Sequence, residues 1–144
     1  MNVCDVMTSH PIVIHSNATL AQALKIMHEA GCHHLPVISA EKHLIGVLSI
    51  HDCQRVLGDL LPDMKPTMNP ARVNTILVSH AMTAAPIIVE PDAPAFEAAR
   101  LMLEHFIGCL PVMRGETLVG IITRSDLLMA FMALSKRPAH QPYP

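Results

Sequence analysis

Tryptophan is absent from this chain, and one tyrosine and three phenylalanines make up its whole aromatic content. So few rings leave little on which bases could stack, and the net charge of −2 comes without any Lys/Arg cluster. A protein whose main task is gripping nucleic acid is therefore not expected. Long apolar runs are missing too: Leu127 to Leu134 falls far short of the roughly 20 residues that span a bilayer. The N-terminus, MNVCDVMTSHP, has no basic segment followed by an apolar one, so no signal peptide and a cytoplasmic setting are expected. Cys4, Cys32, Cys53 and Cys109 are scattered without a CxxC pair and read as reduced, small apolar side chains. The equipment of an enzyme is missing as well. There is no nucleophile–base constellation, no pair of catalytic carboxylates and no GxxxxGKS phosphate loop, so no catalytic residue is expected. What remains is 51% hydrophobic and 15% charged over 144 residues, which argues against disorder and is enough to bury a core.

The chain's main organising feature is an internal repeat. Met7-Thr8 recurs as Met82-Thr83, a shift of 75 (82 − 7), and Pro11-Ile12 recurs as Pro86-Ile87 at the same shift. Ala23, Met27 and Glu29 find Ala98, Met102 and Glu104, and Leu35-Pro36-Val37 finds Leu110-Pro111-Val112. One deletion then reduces the shift to 74 (120 − 46), pairing GVLSIHD from Gly46 to Asp52 with GIITRSD from Gly120 to Asp126. The chain divides into a first repeat over residues 1–61, a proline-punctuated linker over 62–75, a second repeat over 76–134 and a tail over 135–144.

Each repeat reads as β-α-β-β-α, an α/β (α+β) fold class, behind a short leading segment. Pro11–Ile14 and Pro86–Val89 are short β-branched runs that predict strands. TLAQALKIMHEAG places Leu20, Ala23, Leu24 and Met27 on one helix face, with Thr19-x-x-Gln22 as a capping box and Gly31 as a stop. APAFEAARLMLEH predicts the matching helix, with Asp92 and Pro94 as start signals. Strands are predicted at Leu35–Ile38 and Leu44–Leu48, and again at Leu110–Met113 and Leu118–Ile122. Second helices are predicted to begin at Ser49 and Thr123. One such unit leaves a sheet face bare, so the two are expected to pack sheet to sheet. The final helix, LLMAFMAL, is apolar nearly all round and is read either as part of the pair's own core or as a contact with a second copy.

A repeat that opens on VCDVMT or VSHAMT, carries Leu-Pro-Val in its middle and ends on Gly-x-x-Ser/Thr-x-x-Asp resembles the CBS domain (named for cystathionine β-synthase). The likeness runs over about residues 3–134 and appears in both halves. It implies a tandem pair related by a pseudo-two-fold axis, with clefts between the repeats. In that family such clefts often hold adenosine-containing ligands: AMP, ADP, ATP, S-adenosylmethionine or related dinucleotides. The pairs commonly regulate an enzyme, channel or transporter. With ten residues after Leu134, the expectation here is a stand-alone regulatory pair, a homodimer that signals to an unknown effector protein. A structural pairing module with non-binding clefts is the alternative. No cofactor is required on this reading, the nucleotide or S-adenosylmethionine being a regulatory ligand.

The candidate ligand-binding residues follow from the chemistry of a nucleotide. Ser49 and Thr123 stand at helix starts, where unpaired N–H groups and the positive dipole end attract phosphate. Asp52 and Asp126, three residues on, offer two acceptor oxygens to ribose hydroxyls, and equally complete a capping box worth about 1 kcal/mol. One carboxylate can hardly do both, so ligand is expected to weaken the cap. Ile122, with Pro86 and Ile87 and with Pro11 and Ile12, would wall an adenine. Thr8, Thr83, Pro36 and Pro111 complete the repeated motifs. Arg124 is read as a phosphate partner or a solvated surface cation. His51 replaces it in the first repeat, and His33-His34 stands where relatives carry a basic pair; the second repeat has Gly108-Cys109 there. The cleft containing Asp126 and Arg124, completed by histidines of the first repeat, is favoured. The chain's ten histidines raise the question of a metal, but neighbouring strand residues point to opposite faces and no HxxxH pair occurs, so no metal ligand is assigned.

Overall fold

A computed structural model describes residues 1–57 and 70–136 of the chain. The elements run α1 (Val3–Val6), β1 (Thr8–Ser9), β2 (Ile14–His15), α2 (Leu20–Ala30), β3 (His34–Ile38), β4 (Leu44–Ser49) and α3 (Ile50–Leu57). After residue 69 come α4 (Pro70–Thr75), α5 (Val78–Ala81), β5 (Thr83–Ala84), α6 (Ala95–His105), β6 (Cys109–Arg114), β7 (Thr117–Thr123) and α7 (Arg124–Ser135). The first eight residues of the predicted linker, 62–69, lie outside the described residues, as does the tail beyond Lys136. The last six residues of the predicted linker form helix α4, which packs on α2 and has Val73 buried.

Two sheets form, and each borrows a strand from the other repeat. β2-β3-β4-β5 is four-stranded, with β5 of the second repeat antiparallel to β4 of the first. β1-β7-β6 is three-stranded, with β1 of the first repeat antiparallel to β7 of the second. The leading segment of each repeat therefore completes the other's sheet. Its helix goes along: Val78 and Ala81 of α5 are buried with Leu20, Leu35 and Leu48, while Val3 of α1 is buried with Ala98, Leu110 and Ile122.

The crossing explains the repeated glycine. Gly46 pairs with Ala84 and Gly120 with Ser9 across the borrowed strands. A Cβ on Gly46 would lie 2.6 Å from Met82 Sδ and 2.9 Å from the Thr83 carbonyl oxygen. The Met-Thr and Gly motifs, far apart in sequence, thus pack on each other.

The strands expected at Pro11–Ile14 and Pro86–Val89 shrink to Ile14–His15 and to a single parallel bridge from Val89 to Val112. A proline has no N–H to give a ladder. Each run also leaves a left-handed residue, His10 (φ 52°) or Ala85 (φ 47°), before it can join the sheet. Helix α2 has the expected Thr19–Gln22 capping box and ends on left-handed Gly31. Helix α6 starts differently from its expected signals. Pro94 is its N-cap without a side-chain bond, and Asp92 bonds Arg114 on the β6–β7 hairpin instead.

The sheets pack face to face as expected. Leu48 and Ile122 turn to their own helices, while their neighbours Val47 and Ile121, equivalent by the repeat, meet with Cys109 in a third apolar cluster between the sheets. Helix α7 contributes no fully buried residue: Leu127 packs against the second repeat's core, while Leu128, Met129, Phe131, Met132 and Leu134 stay exposed.

Candidate functional site: a cleft built from both repeats

Where the sheets diverge from the Val47–Cys109–Ile121 contact, a cleft of about 1100 Å³ opens, lined by both repeats. Its lining includes the first-repeat candidates Thr8, Pro11, Ile12, His33 and His34, and Ser49, His51 and Asp52 from the start of α3. From the second repeat come Thr83, Pro86, Ile87 and Cys109, then Thr123 and Arg124. Four candidates are not on that lining. Ile122 is wholly buried among α6 and its sheet, because successive strand residues alternate faces; Ile121 takes the cleft position. Pro36 and Pro111 lie opposite Val47 and Ile121 across their ladders and are fully buried between the sheets. Asp126, half-buried, sits one residue behind the lining residues Thr123, Arg124 and Ser125.

The two helix starts have the same framework and different free groups. At α7, Thr123 N–H donates to Asp126 Oδ2 (2.8 Å) and Asp126 N–H donates to Thr123 Oγ1 (3.3 Å). The Thr123 hydroxyl donates to the same Oδ2 (3.0 Å), so its proton is turned to Asp126 rather than offered to phosphate. Arg124 N–H is taken by the Gly108 carbonyl, and Ser125 beside it lies on the cleft lining. At α3, Ser49 N–H donates to Asp52 Oδ2 (2.9 Å), Asp52 N–H donates to Ser49 Oγ (3.0 Å), and Ile50 N–H reaches the His33 carbonyl.

The carboxylates differ more. Asp52 is 7% exposed, the one buried charged side chain among the described residues, and Arg55 Nη2 occupies its Oδ1 at 2.8 Å. Asp126 uses Oδ2 alone, and no hydrogen bond to Oδ1 is made among the described residues. The expected conflict between capping and ribose binding is thus eased at Asp126, where one oxygen caps and the other is left. At Asp52 both oxygens are engaged.

Charge in the cleft is mostly cationic or titratable to a cation. Arg55, Arg124 and five histidines, His10, His33, His34, His51 and His105, line it with Asp52. His34, half-buried, is held below the usual imidazole value by burial, then by His33, with Asp52 pulling weakly the other way. Burial and the Asp52 charge push the Cys109 thiol up to about 12, and the Cys53 thiol up to about 11, so neither is a ready thiolate at neutral pH. Among the described residues no three His, Cys, Asp or Glu side chains converge on a metal position.

Sequence reasoning missed Val47, Ile121, Arg55, His105 and Phe106 on the lining. Strand alternation could have found the first two, since the same alternation that turns Val47 and Ile121 to the cleft buries Leu48 and Ile122 on the other face. Phe106 also left a trace: it stands at the repeat equivalent of Gly31 and takes the same left-handed conformation (φ 54°) while 89% exposed.

Comparison with known proteins fits this geometry. The family model described as CBS domain matches residues 3–59 and 78–133. A CBS domain-containing protein of Dictyostelium discoideum is 32% identical over 130 residues, covering 88% of each chain. Two other curated relatives are longer, and this chain spans 23% and 14% of them. The CBS domain pair of protein MJ0100, solved with 5′-methylthioadenosine and S-adenosyl-L-methionine, superposes with a TM-score of 0.79 at 26% identity, covering 94% of this chain and 98% of that one. CBSX2 of Arabidopsis thaliana, solved with AMP, gives 0.75 at 28% identity with the same coverage. With the family model covering both repeats, the chain belongs to the CBS domain family as a tandem pair.

Proposed function

We propose that this CBS pair is a regulatory sensor that binds an adenosine-containing ligand (AMP, ADP, ATP or S-adenosylmethionine) in the cleft between its repeats and passes the bound state to a partner protein. The observation that carries the reading is the make-up of one end of the cleft. There Thr123, Arg124 and Ser125 line it at a single helix start, with the uncommitted oxygen of Asp126 one residue behind, and Ile121, Pro86 and Ile87 supply apolar wall to the same cleft. Phosphate, ribose and base each have suitable chemistry within one volume. The relatives solved with AMP and with S-adenosyl-L-methionine support the ligand class. A ligand touching both repeats shifts the pair's shape only by its differential affinity for the two shapes.

Thermal unfolding with each of the four ligands at about millimolar concentration tests this, since a ligand at ~100 times its Kd adds about 2.7 kcal/mol. At least one raises Tm by several degrees, and Asp126→Ala loses most of that gain. Because losing the cap alone costs about 1 kcal/mol, the gain is compared rather than the starting Tm. No gain from any of the four defeats the proposal, and an undiminished gain in the variant moves the site elsewhere.

A homodimer belongs to the same reading. Leu128, Met129, Phe131, Met132 and Leu134 on α7, with Phe96 and Leu103 on α6, expose large apolar side chains that a second copy would cover. The structural pairing module without ligand rests on this surface alone. Among the described residues no helix is long and apolar enough to cross a membrane. We place the protein in the cytoplasm, in keeping with its four free thiols, and assign it neither nucleic-acid binding nor catalysis.

A further inference from the structure

We propose that a phosphate-bearing ligand enters this cleft together with a proton taken up from solvent on His34, so that the pair reads ligand and pH jointly. The proposal rests on the nucleotide reading above and adds its coupling to protons.

His34 opens β3, paired with Ser49, and reaches across to the other repeat. Its Nε2 lies 3.2 Å from the point where a Cβ on Gly108 would stand, and Arg124 Cζ lies 3.9 Å from that same point. An imidazole of the first repeat and a guanidinium of the second thus both approach Gly108, where a Cβ would crowd the ring. The absence of a side chain at Gly108 leaves room for His34 at the α7 end of the cleft.

The groups facing His34 come from three elements. His33 precedes it, His51 and Asp52 face it from α3, and Arg124 faces it from α7; Gly108 brings no charge. The single carboxylate in this set is already committed to Arg55 and to Ser49 N–H. No hydrogen bond or ion pair to the His34 ring is made among the described residues. A proton placed there in the free cleft would therefore sit half-buried beside a fixed cation with no acceptor. Burial and these neighbours accordingly favour the neutral ring. A phosphate at the Arg124–Ser125 end reverses both conditions, supplying an acceptor and two opposite charges. Binding then raises the affinity of His34 for a proton, and by linkage a proton raises the affinity for phosphate. Without ligand the sign is opposite: stability contributed by the neutral ring is complete above the ordinary imidazole value of 6.5 and is lost as pH falls through the lower folded value.

Calorimetric titration of the full chain with ADP at about pH 6 and about pH 8, each in two buffers of different ionisation enthalpy, tests the coupling. ADP's own terminal phosphate protonates near pH 6 and works against the effect, so variants are compared at matched pH. The expected result is net proton uptake and binding about tenfold tighter at the lower pH relative to His34→Gln, which binds ADP with little pH dependence. His28→Gln, exposed on α2 outside the cleft, behaves as wild type. Adenosine, which lacks phosphate, binds without uptake. An NMR titration of the His34 ring in the wild type gives the same answer without a variant: ADP moves its midpoint upward. If ADP binds with no uptake and an unmoved His34 midpoint, the coupling is overturned and the nucleotide reading survives. If neither ADP nor adenosine binds at either pH, the coupling falls, and the nucleotide reading falls with it only when AMP, ATP and S-adenosylmethionine also give no thermal gain.

Discussion

A methyl group on Gly120 would stand 2.5 Å from Met7 Sδ and 2.9 Å from the Thr8 carbonyl oxygen, the mirror of the contacts at Gly46. The sulfur is the end of a flexible side chain and can move; the carbonyl belongs to a paired strand and cannot without breaking its register with Ile121 and Gly120. Gly120→Ala and Gly46→Ala are each expected to destabilise by roughly 1–3 kcal/mol through overpacking, lowering Tm by several degrees. Gly115, whose Cβ would meet nothing within 4 Å, is the comparison for a glycine held only by its left-handed backbone. Equal losses at all three positions in thermal unfolding would remove the packing account. At this scale the sequence was legible where a residue repeats and opaque where its role depends on the other repeat. The pairing of Gly46 with Gly120 showed that both matter, yet only the borrowed strands show what each one touches.

Helix α2 could be read almost to its ends, because Thr19, Gln22 and Gly31 are local signals acting on local backbone. Its counterpart α6 was harder to read. Phe106 occupies the left-handed C-cap that glycine usually holds, and Asp92 is drawn off to Arg114. Helix α7 posed a different question, since an all-apolar helix can be either core or interface. Leu127 alone leans on the core, and the exposure of Leu128, Met129, Phe131, Met132 and Leu134 decides against the core for the rest. Phe131→Asp on that exposed face is expected to leave the melting temperature of the fold nearly unchanged and to halve the mass measured by light scattering. An unchanged mass on a dimeric wild type would place the interface on another face.

At the scale of the molecule, the repeat boundary in sequence and the boundary between sheets do not coincide. Residues 1–61 alone lack α5 and β5, so Val78 and Ala81 would be missing from the cluster around Leu20, Leu35 and Leu48, and the β4 edge would lie open. This half, expressed by itself, is expected to show little cooperative unfolding, and adding residues 62–144 in trans restores it. A sharp transition from the isolated half would mean that the borrowed pieces are dispensable. That two β-α-β-β-α units pack sheet to sheet could be argued from the sequence, because one bare sheet face demands a cover. The exchange could not, because Thr8-Ser9 and Thr83-Ala84 are two-residue strands with no periodicity of their own. The site shows the same division. Helix starts, the Ser/Thr–Asp caps and the cleft prolines were legible from local pattern, whereas His34 beside Gly108 and Arg124 is a contact between repeats that no local pattern encodes.

The exchange also bears on how the protein is made. As the chain leaves the ribosome from its N-terminus, the first sheet cannot gain its fourth strand until residue 84 has emerged. Strand β1 has no ladder partner before Gly120 and Ile121 appear, whereas helix α1 can meet Pro91 and Ala93 sooner. Val3 and Val6 thus stay uncovered until Val89 and the residues that follow it have been made, and β1 waits longer still.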